Sequence, residues 1–155
     1  MPEPGLRAGL RLLVVGAGAI GCELLKLLAQ SGAALEVTVV DPDCIEQTNL
    51  SRQLLFRASD IGQSKATVAA REAQRLSPAL RVRPLSVLLG PAAEDALGDA
   101  LFDVDCVLGA VDNLEARLYV DARCRWHAVP LIDCGTQGAK GSVQVVVPGL
   151  TETYG

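Results

Sequence analysis

Aromatic side chains are nearly missing from this chain: two Phe, two Tyr and one Trp stand among 155 residues. A core without large rings must be filled by Leu, Val, Ile and Ala, which suits a sheet covered by helices better than a β-sandwich. Histidine occurs once, as His127, at a helical end with no nucleophile nearby, so no catalytic role falls to it. The five cysteines (Cys22, Cys44, Cys106, Cys124 and Cys134) include no C-x-x-C pair. That argues against a zinc site within the chain and fits reduced thiols in a cytosolic or nuclear protein. They read as small core residues. No run reaches the roughly 18 apolar residues of a membrane span. Arg7 and Arg11 ahead of the apolar run from Leu12 to Ile20 have the outline of a signal peptide. Gly16 and Gly18 cut that run, however, and a strand followed by a glycine loop accounts for it better. Clustered positive charge is also lacking: the net charge is −4 and the arginines are scattered, which speaks against a nucleic-acid surface.

What is present is an ordinary globular composition, half hydrophobic and 21% charged, of a length that fits one domain. Residues 1–10 carry prolines and glycines and read as a loose leader ahead of a domain over 11–155. Arg11–Val15 is a short apolar run ending in glycine, hence a buried strand. Ala19–Gln30 places Ile20, Leu24, Leu27 and Leu28 on one helical face, and Gly32 ends it. Glu36–Val40 alternates, is β-branched and ends at Asp41. Residues 42–56 read as a long loop with room for a helical turn. Further on, the pattern predicts a helix over 64–76, and a strand over 81–88 with Pro84 at an edge or bulge. A short helix over 92–101, a strand over 104–110 and a helix over 113–127 follow, then strands over 130–134 and 143–147. This alternation predicts an α/β fold: a doubly wound, mostly parallel, Rossmann-like sheet with helices on both faces. Ligands of such sheets sit at the carboxyl ends of the strands. That edge collects residues 16–21, 41–53, Asp112 with Asn113, and 135–141.

Gly16-Ala17-Gly18-Ala19-Ile20-Gly21 is a G-x-G-x-x-G between strand and helix, and Asp41 closes the next strand about 20 residues on. Such glycines bring backbone close to a nucleotide, and the carboxylate accepts ribose hydroxyls. The fingerprint leaves NAD, FAD and ATP open. Asn49-Leu50-Ser51-Arg52-Gln53 adds an amide, a guanidinium and a second amide beside the ribose-binding end, suited to phosphate oxygens. The same five residues also suit a solvated polar loop. Lys65, near a helix start, opposes the helix dipole unless an anion is bound there. Asp112 is a hard oxygen donor suited to Mg²⁺, or equally the N-cap of the next helix. Residues 135–141, with three glycines in seven, permit close backbone approach or form a plain connection between strands.

Together, the runs Val14 to Lys26, Asn49 to Gln53 with Leu55-Phe56-Arg57, Asp60-Ile61-Gly62 with Lys65, Asp112 to Arg117, Gly135 to Gly141 and Pro148 to Tyr154 resemble the ubiquitin-activating enzyme family. That family lies within the wider ThiF and molybdopterin adenylyltransferase superfamily, and the likeness is strongest to the active adenylation half. The resemblance implies a ThiF-type adenylation domain that is incomplete at its C-terminus. It also implies ATP and Mg²⁺ as cofactors, and adenylation of the C-terminal carboxylate of ubiquitin or a ubiquitin-like protein. Carried over residue by residue, Gly16, Gly18, Ala19 and Gly21 line the adenosine pocket, and Asp41 holds the ribose. Asn49, Arg52, Gln53 and Lys65 form the phosphate set, and Asp112 is the magnesium-linked aspartate with Asn113 beside it. Arg52, Lys65 and Asp112 are the expected catalytic residues. A second adenylation-type module is an implied partner, and cytoplasm and nucleus the implied location. Where the family continues into a thioester-cysteine domain, no cysteine here matches, and Cys134 reads as a structural thiol. Two other classes stay in play: a nicotinamide- or flavin-dependent oxidoreductase, and a pseudo-adenylation scaffold without catalysis.

Overall fold

The computed structural model describes residues 6–152, apart from the side chains of residues 94, 96 and 99. Residues 1–5 of the expected leader and the last three residues, which include Tyr154, lie outside the described residues. Six strands form one sheet in the order β3-β2-β1-β4-β5-β6. They are β1 (Arg11–Val15), β2 (Glu36–Val40), β3 (Arg81–Leu85), β4 (Cys106–Gly109), β5 (Leu131–Gln137) and β6 (Lys140–Val146). The first five are parallel, and β6 runs antiparallel to β5. Four helices connect them: α1 (Ala19–Gln30), α2 (Lys65–Leu76), α3 (Pro91–Leu97) and α4 (Leu114–Trp126). No helix among the described residues is long and apolar enough to cross a membrane.

The sheet has a core on each face because β1 is apolar on both. Leu12 and Val14 pack with α1 and α2 residues such as Leu25, Leu28, Val68 and Ala69. Leu13 and Val15 turn the other way, toward Phe102, Val120 and Cys124. Continuous rather than alternating hydrophobicity is what a doubly covered parallel strand requires. With aromatics scarce, Phe102 is the largest of the fully buried side chains.

Several expected elements differ in extent. The strand over 81–88 stops at Leu85, where the Asp41 N–H takes the Leu85 carbonyl at 3.1 Å and β2 has run out. Pro84 does sit in an edge strand, as its missing N–H demands. The helix over 92–101 is two pieces, α3 and a 3-10 turn at Asp99–Phe102, parted by Gly98 at φ +73°. β4 is shorter than 104–110, although Asp105 N–H and Ala110 N–H still bond to Arg11 and Val15 carbonyls. The glycine-rich stretch 135–141 is not a loop. β5 continues through Gln137, β6 starts at Lys140, and the two are joined by the two-residue turn Gly138-Ala139. Gly138, at φ +61°, supplies the positive dihedral that a tight hairpin needs.

One face of this hairpin is bare. Val143 and Val145 pair with Cys134 and Ile132 across the ladder, on the sheet face that α1 and α2 cover elsewhere. They are nevertheless 69% and 53% exposed.

Candidate functional site

A cavity of about 530 Å³ opens at the carboxyl ends of β1, β2 and β4. The parallel sheet builds it because β1 and β4, and β1 and β2, end in register (Val15 opposite Val40 and Gly109), so their following loops meet. Of the residues expected from the sequence, Gly16, Gly18, Ala19, Asp41, Asn49, Arg52, Gln53, Lys65, Asp112 and Asn113 line it. Gly21 does not. A Cβ there would collide with the Gly16 carbonyl, so this glycine lets α1 begin against the loop instead of meeting a ligand. Gly16 itself sits at φ +101° with the Ala110 backbone directly behind it, a position with no room for a side chain.

Asp41 is buried and spends both oxygens on the chain. Oδ2 accepts from Ala17 N–H at 2.7 Å and Oδ1 from Asp43 N–H at 2.8 Å. These bonds tie the glycine loop to the turn after β2. Burial pushes the carboxyl above its ordinary range, against the two N–H groups that favour its ionised form. Spare lone pairs remain on both oxygens for hydroxyl donors. Pro42 in the same turn leaves Asp41 in the cavity wall and lines it too.

The Asn49–Gln53 segment runs from the end of a 3-10 turn (Gln47–Asn49) through tight turns, with Asn49 and Gln53 buried and Ser51 and Arg52 exposed. Asn49 is buried, and its Oδ1 accepts from Glu46 N–H at 2.8 Å, leaving the NH₂ group as its donor. Arg52 is exposed and anchored by Nη1 to the Thr48 carbonyl at 2.9 Å. Gln53 is 4% exposed, and its Oε1 is buried with no hydrogen-bond partner among the described residues. A buried acceptor without a partner costs stability, and it is the amide's NH₂ group that can donate to an oxygen entering the cavity.

Lys65 is the first residue of α2, after the N-cap Ser64, whose hydroxyl accepts from Thr67 N–H at 3.3 Å. Its side chain is only 10% exposed, and Nζ has Asp43 Oδ2 at 3.4 Å. That carboxylate is itself 65% exposed. A buried ammonium has three donors to satisfy; besides this long contact to a solvated carboxylate, the buried Asp41 carboxylate lies within its electrostatic reach. Surface tolerance does not explain this lysine. Its position on the helix dipole's positive end makes an anion in the cavity the natural partner.

The two readings of Asp112 separate cleanly. Asn113 is the N-cap of α4, accepting from Ala116 N–H at 2.8 Å, so Asp112 is free of that task. Its carboxylate is exposed, lines the cavity and meets Asn113 Nδ2 at 3.5 Å. No cluster of three metal-ligating side chains occurs among the described residues. A single exposed carboxylate in the cavity wall is a donor of the kind that Mg²⁺ takes together with phosphates and water.

Sequence reasoning missed Asp43, Arg117 and the lip Val87, Leu88 and Leu89, all in the cavity wall. Arg117 lay inside a recognised run, but its partner Asp133 is 16 residues on, and no local pattern joins the two. Burial pushes the Cys22 thiol up to about 11 and the Cys124 thiol up to about 12, whereas Cys44 is exposed and not a core residue.

Comparison with known proteins agrees with this architecture. The chain is 50% identical over 147 residues to Ubiquitin-like modifier-activating enzyme 7 of Homo sapiens, covering 92% of this chain and 14% of that protein. It is 47% identical over 150 residues to Ubiquitin-activating enzyme E1 2 of Arabidopsis thaliana, covering 94% and 14%. The chain therefore spans about a seventh of the length of these curated relatives. Among solved structures, a crystal structure of E. coli MccB with ATP superposes at a TM-score of 0.82 with 26% identity, covering 94% of this chain and 43% of that one. The ThiF family model matches residues 6–155, a stretch that includes every wall of the cavity from the glycine loop to the β5–β6 hairpin, and the chain belongs to that family.

Proposed function

We propose that this chain is the ATP-binding core of an enzyme that activates ubiquitin or a ubiquitin-like protein. In this reaction a C-terminal carboxylate oxygen attacks the α-phosphorus of ATP. The bond to the bridging oxygen breaks, pyrophosphate leaves and an acyl-adenylate forms. The observation that carries the reading is Lys65, a buried ammonium at the start of α2 in the wall of a nucleotide-sized cavity. An oxidoreductase pocket with Asp41 and the glycine loop has no use for it beside Arg52, Asn49 and Gln53.

A carboxylate meeting a polyphosphate is an encounter of like charges, so neutralisation and alignment supply most of the catalysis. Asp41 accepts ribose hydroxyls while the glycine loop and Ala19 lie against the adenosine. Lys65 and Arg52 bear the phosphate charge, and Asn49 and Gln53 orient phosphate oxygens. Asp112, with Asn113 beside it, would hold Mg²⁺. When bound, Mg²⁺ supplies charge neutralisation on the phosphates. We further propose a second adenylation-type module as partner. Cytoplasm and nucleus are the proposed locations, on the strength of the cysteine spacing.

Calorimetric titration with ATP–Mg²⁺ and with NAD tests the reading. ATP–Mg²⁺ is expected to bind and NAD not to; tight NAD binding without ATP binding overturns it. Pyrophosphate exchange, with a ubiquitin-like protein and the complementary module present, then separates an enzyme from a scaffold. ATP binding without exchange assigns the chain to the scaffold class.

A further inference from the structure

We propose that Arg117 is a positioning residue that sets the place of the Asp112 carboxylate; this rests on the adenylation reading and deepens it. The guanidinium stitches three elements together. Nη1 is ion-paired with Asp133 on β5, and Nη2 donates to the Val111 carbonyl at 2.8 Å and the Cys134 carbonyl at 3.2 Å. Both partners of the pair are buried, with side chains 13% and 6% exposed. The fit is close: a Cβ on Gly135 would stand 2.8 Å from Nη2, and one on Gly109 would stand 2.7 Å from Asp133 Oδ1. Burial holds the Asp133 carboxyl above its ordinary value, with Arg117 pulling it back.

The Val111 carbonyl shares a rigid peptide plane with the Asp112 N–H, so fixing one fixes the other. Among the described residues, the Asp112 carboxylate has the 3.5 Å contact to Asn113 Nδ2, and the Asn113 Oδ1 is committed to capping α4. A planar fork with several N–H donors can reach a carboxylate and two carbonyls at once, whereas a lysine keeps the charge and loses the geometry.

Because Arg117 also lines the cavity, the rival role is direct contact with the triphosphate. The two roles predict opposite signs. Releasing the guanidinium with Asp133→Asn strengthens ATP binding if Arg117 is an anion ligand, and weakens the magnesium-dependent part if it positions Asp112. The experiment is calorimetry on the 155-residue chain with ATP and with adenosine, each with and without Mg²⁺, alongside thermal unfolding. For wild type, Mg²⁺ is expected to tighten ATP binding. Arg117→Lys and Asp133→Asn are expected to lose about tenfold or more of that enhancement, as for other residues that orient a metal ligand. Adenosine affinity should stay unchanged. In an Asp112→Asn background, Arg117→Lys should cost nothing further, since both changes break one connection.

The proposal is overturned if folded Arg117→Lys keeps the enhancement within about twofold, a change of roughly 0.4 kcal/mol. It is equally overturned if the cost persists in the Asp112→Asn background, if Asp133→Asn tightens ATP binding, or if adenosine affinity falls in step. Wild type that takes no ATP overturns the adenylation reading, and this inference with it. Wild type that takes ATP–Mg²⁺ leaves that reading standing whatever Arg117 does.

Discussion

Two buried polar side chains stand in the cavity wall, Gln53 with an unpartnered oxygen among the described residues and Lys65 with a long contact to Asp43, and each gives a prediction with a definite sign. Replacing Gln53 by Leu removes an acceptor that has no partner. The folded state is expected to hold level or gain about 1 kcal/mol in urea denaturation, because the desolvation penalty goes with the amide. ATP affinity should fall about tenfold, the worth of one hydrogen bond. A variant that loses stability and keeps its affinity contradicts the role given to Gln53. For Lys65→Met, similar bulk keeps the packing while the charge disappears. ATP binding is expected to weaken by about 10- to 100-fold, as one charge-assisted contact implies, whereas adenosine, which has no phosphates, should bind as before. Equal losses for both ligands would place Lys65 outside the phosphate set.

At the scale of an element, α2 carries the second half of the site, and its start is held by capping and charge. Ser64→Ala removes the N-cap bond to Thr67 and should cost about 1 kcal/mol in thermal or chemical unfolding. Further along, Arg71 reaches back to Asp60 at 2.8 Å, joining α2 to the 3-10 turn at Ala58–Asp60. The Arg71 guanidinium holds the buried Asp60 carboxyl below the usual carboxylate range, and Arg57 N–H adds a further bond at 2.9 Å. A depressed folded-state value contributes stability that is present above the unfolded value of about 3.9 and is lost as pH falls through the folded one. Glu72 works in the same direction: burial opposes its ionisation, but Arg75 and Arg71 prevail. Arg71→Gln should therefore lose stability at pH 7 and converge on wild type as pH falls through the depressed folded-state values. Urea midpoints measured across that range check it, and a constant gap at all pH values would contradict the assignment.

For the whole molecule, the two sheet edges are treated differently. β3 presents Pro84 and exposed Arg81 and Arg83, features that discourage pairing with another chain. β6 presents Val143 and Val145 with no cover. The double substitution V143K/V145K should leave melting temperature and ATP affinity unchanged, since both side chains are exposed and neither lines the cavity. A fall in either quantity would contradict the exposure of this face.

How much of this was legible in the chain itself follows from the range of each signal. The strand–helix alternation, the glycine loop, the close of β2 at Asp41 and the edge position of Pro84 are short-range. Periodicity, backbone freedom and a missing N–H act within a few residues, so the sequence alone determined the sheet and the edge on which the cavity opens. Tertiary structure decided the rest. The stretch 135–141 became a hairpin because β6 found β5 to pair with, and the 81–88 strand ended where β2 did. Asn113 rather than Asp112 took the cap, a choice fixed by which side chain reaches Ala116 N–H. Lys65 was visible as an awkward charge, but its burial depends on loops more than 20 residues away, and so does its value as an anion site. The Arg117–Asp133 pair joins a helix to a strand through the close approach permitted by Gly109 and Gly135. Such a contact exists only once the chain has folded, because distance through space, not spacing along the chain, creates it.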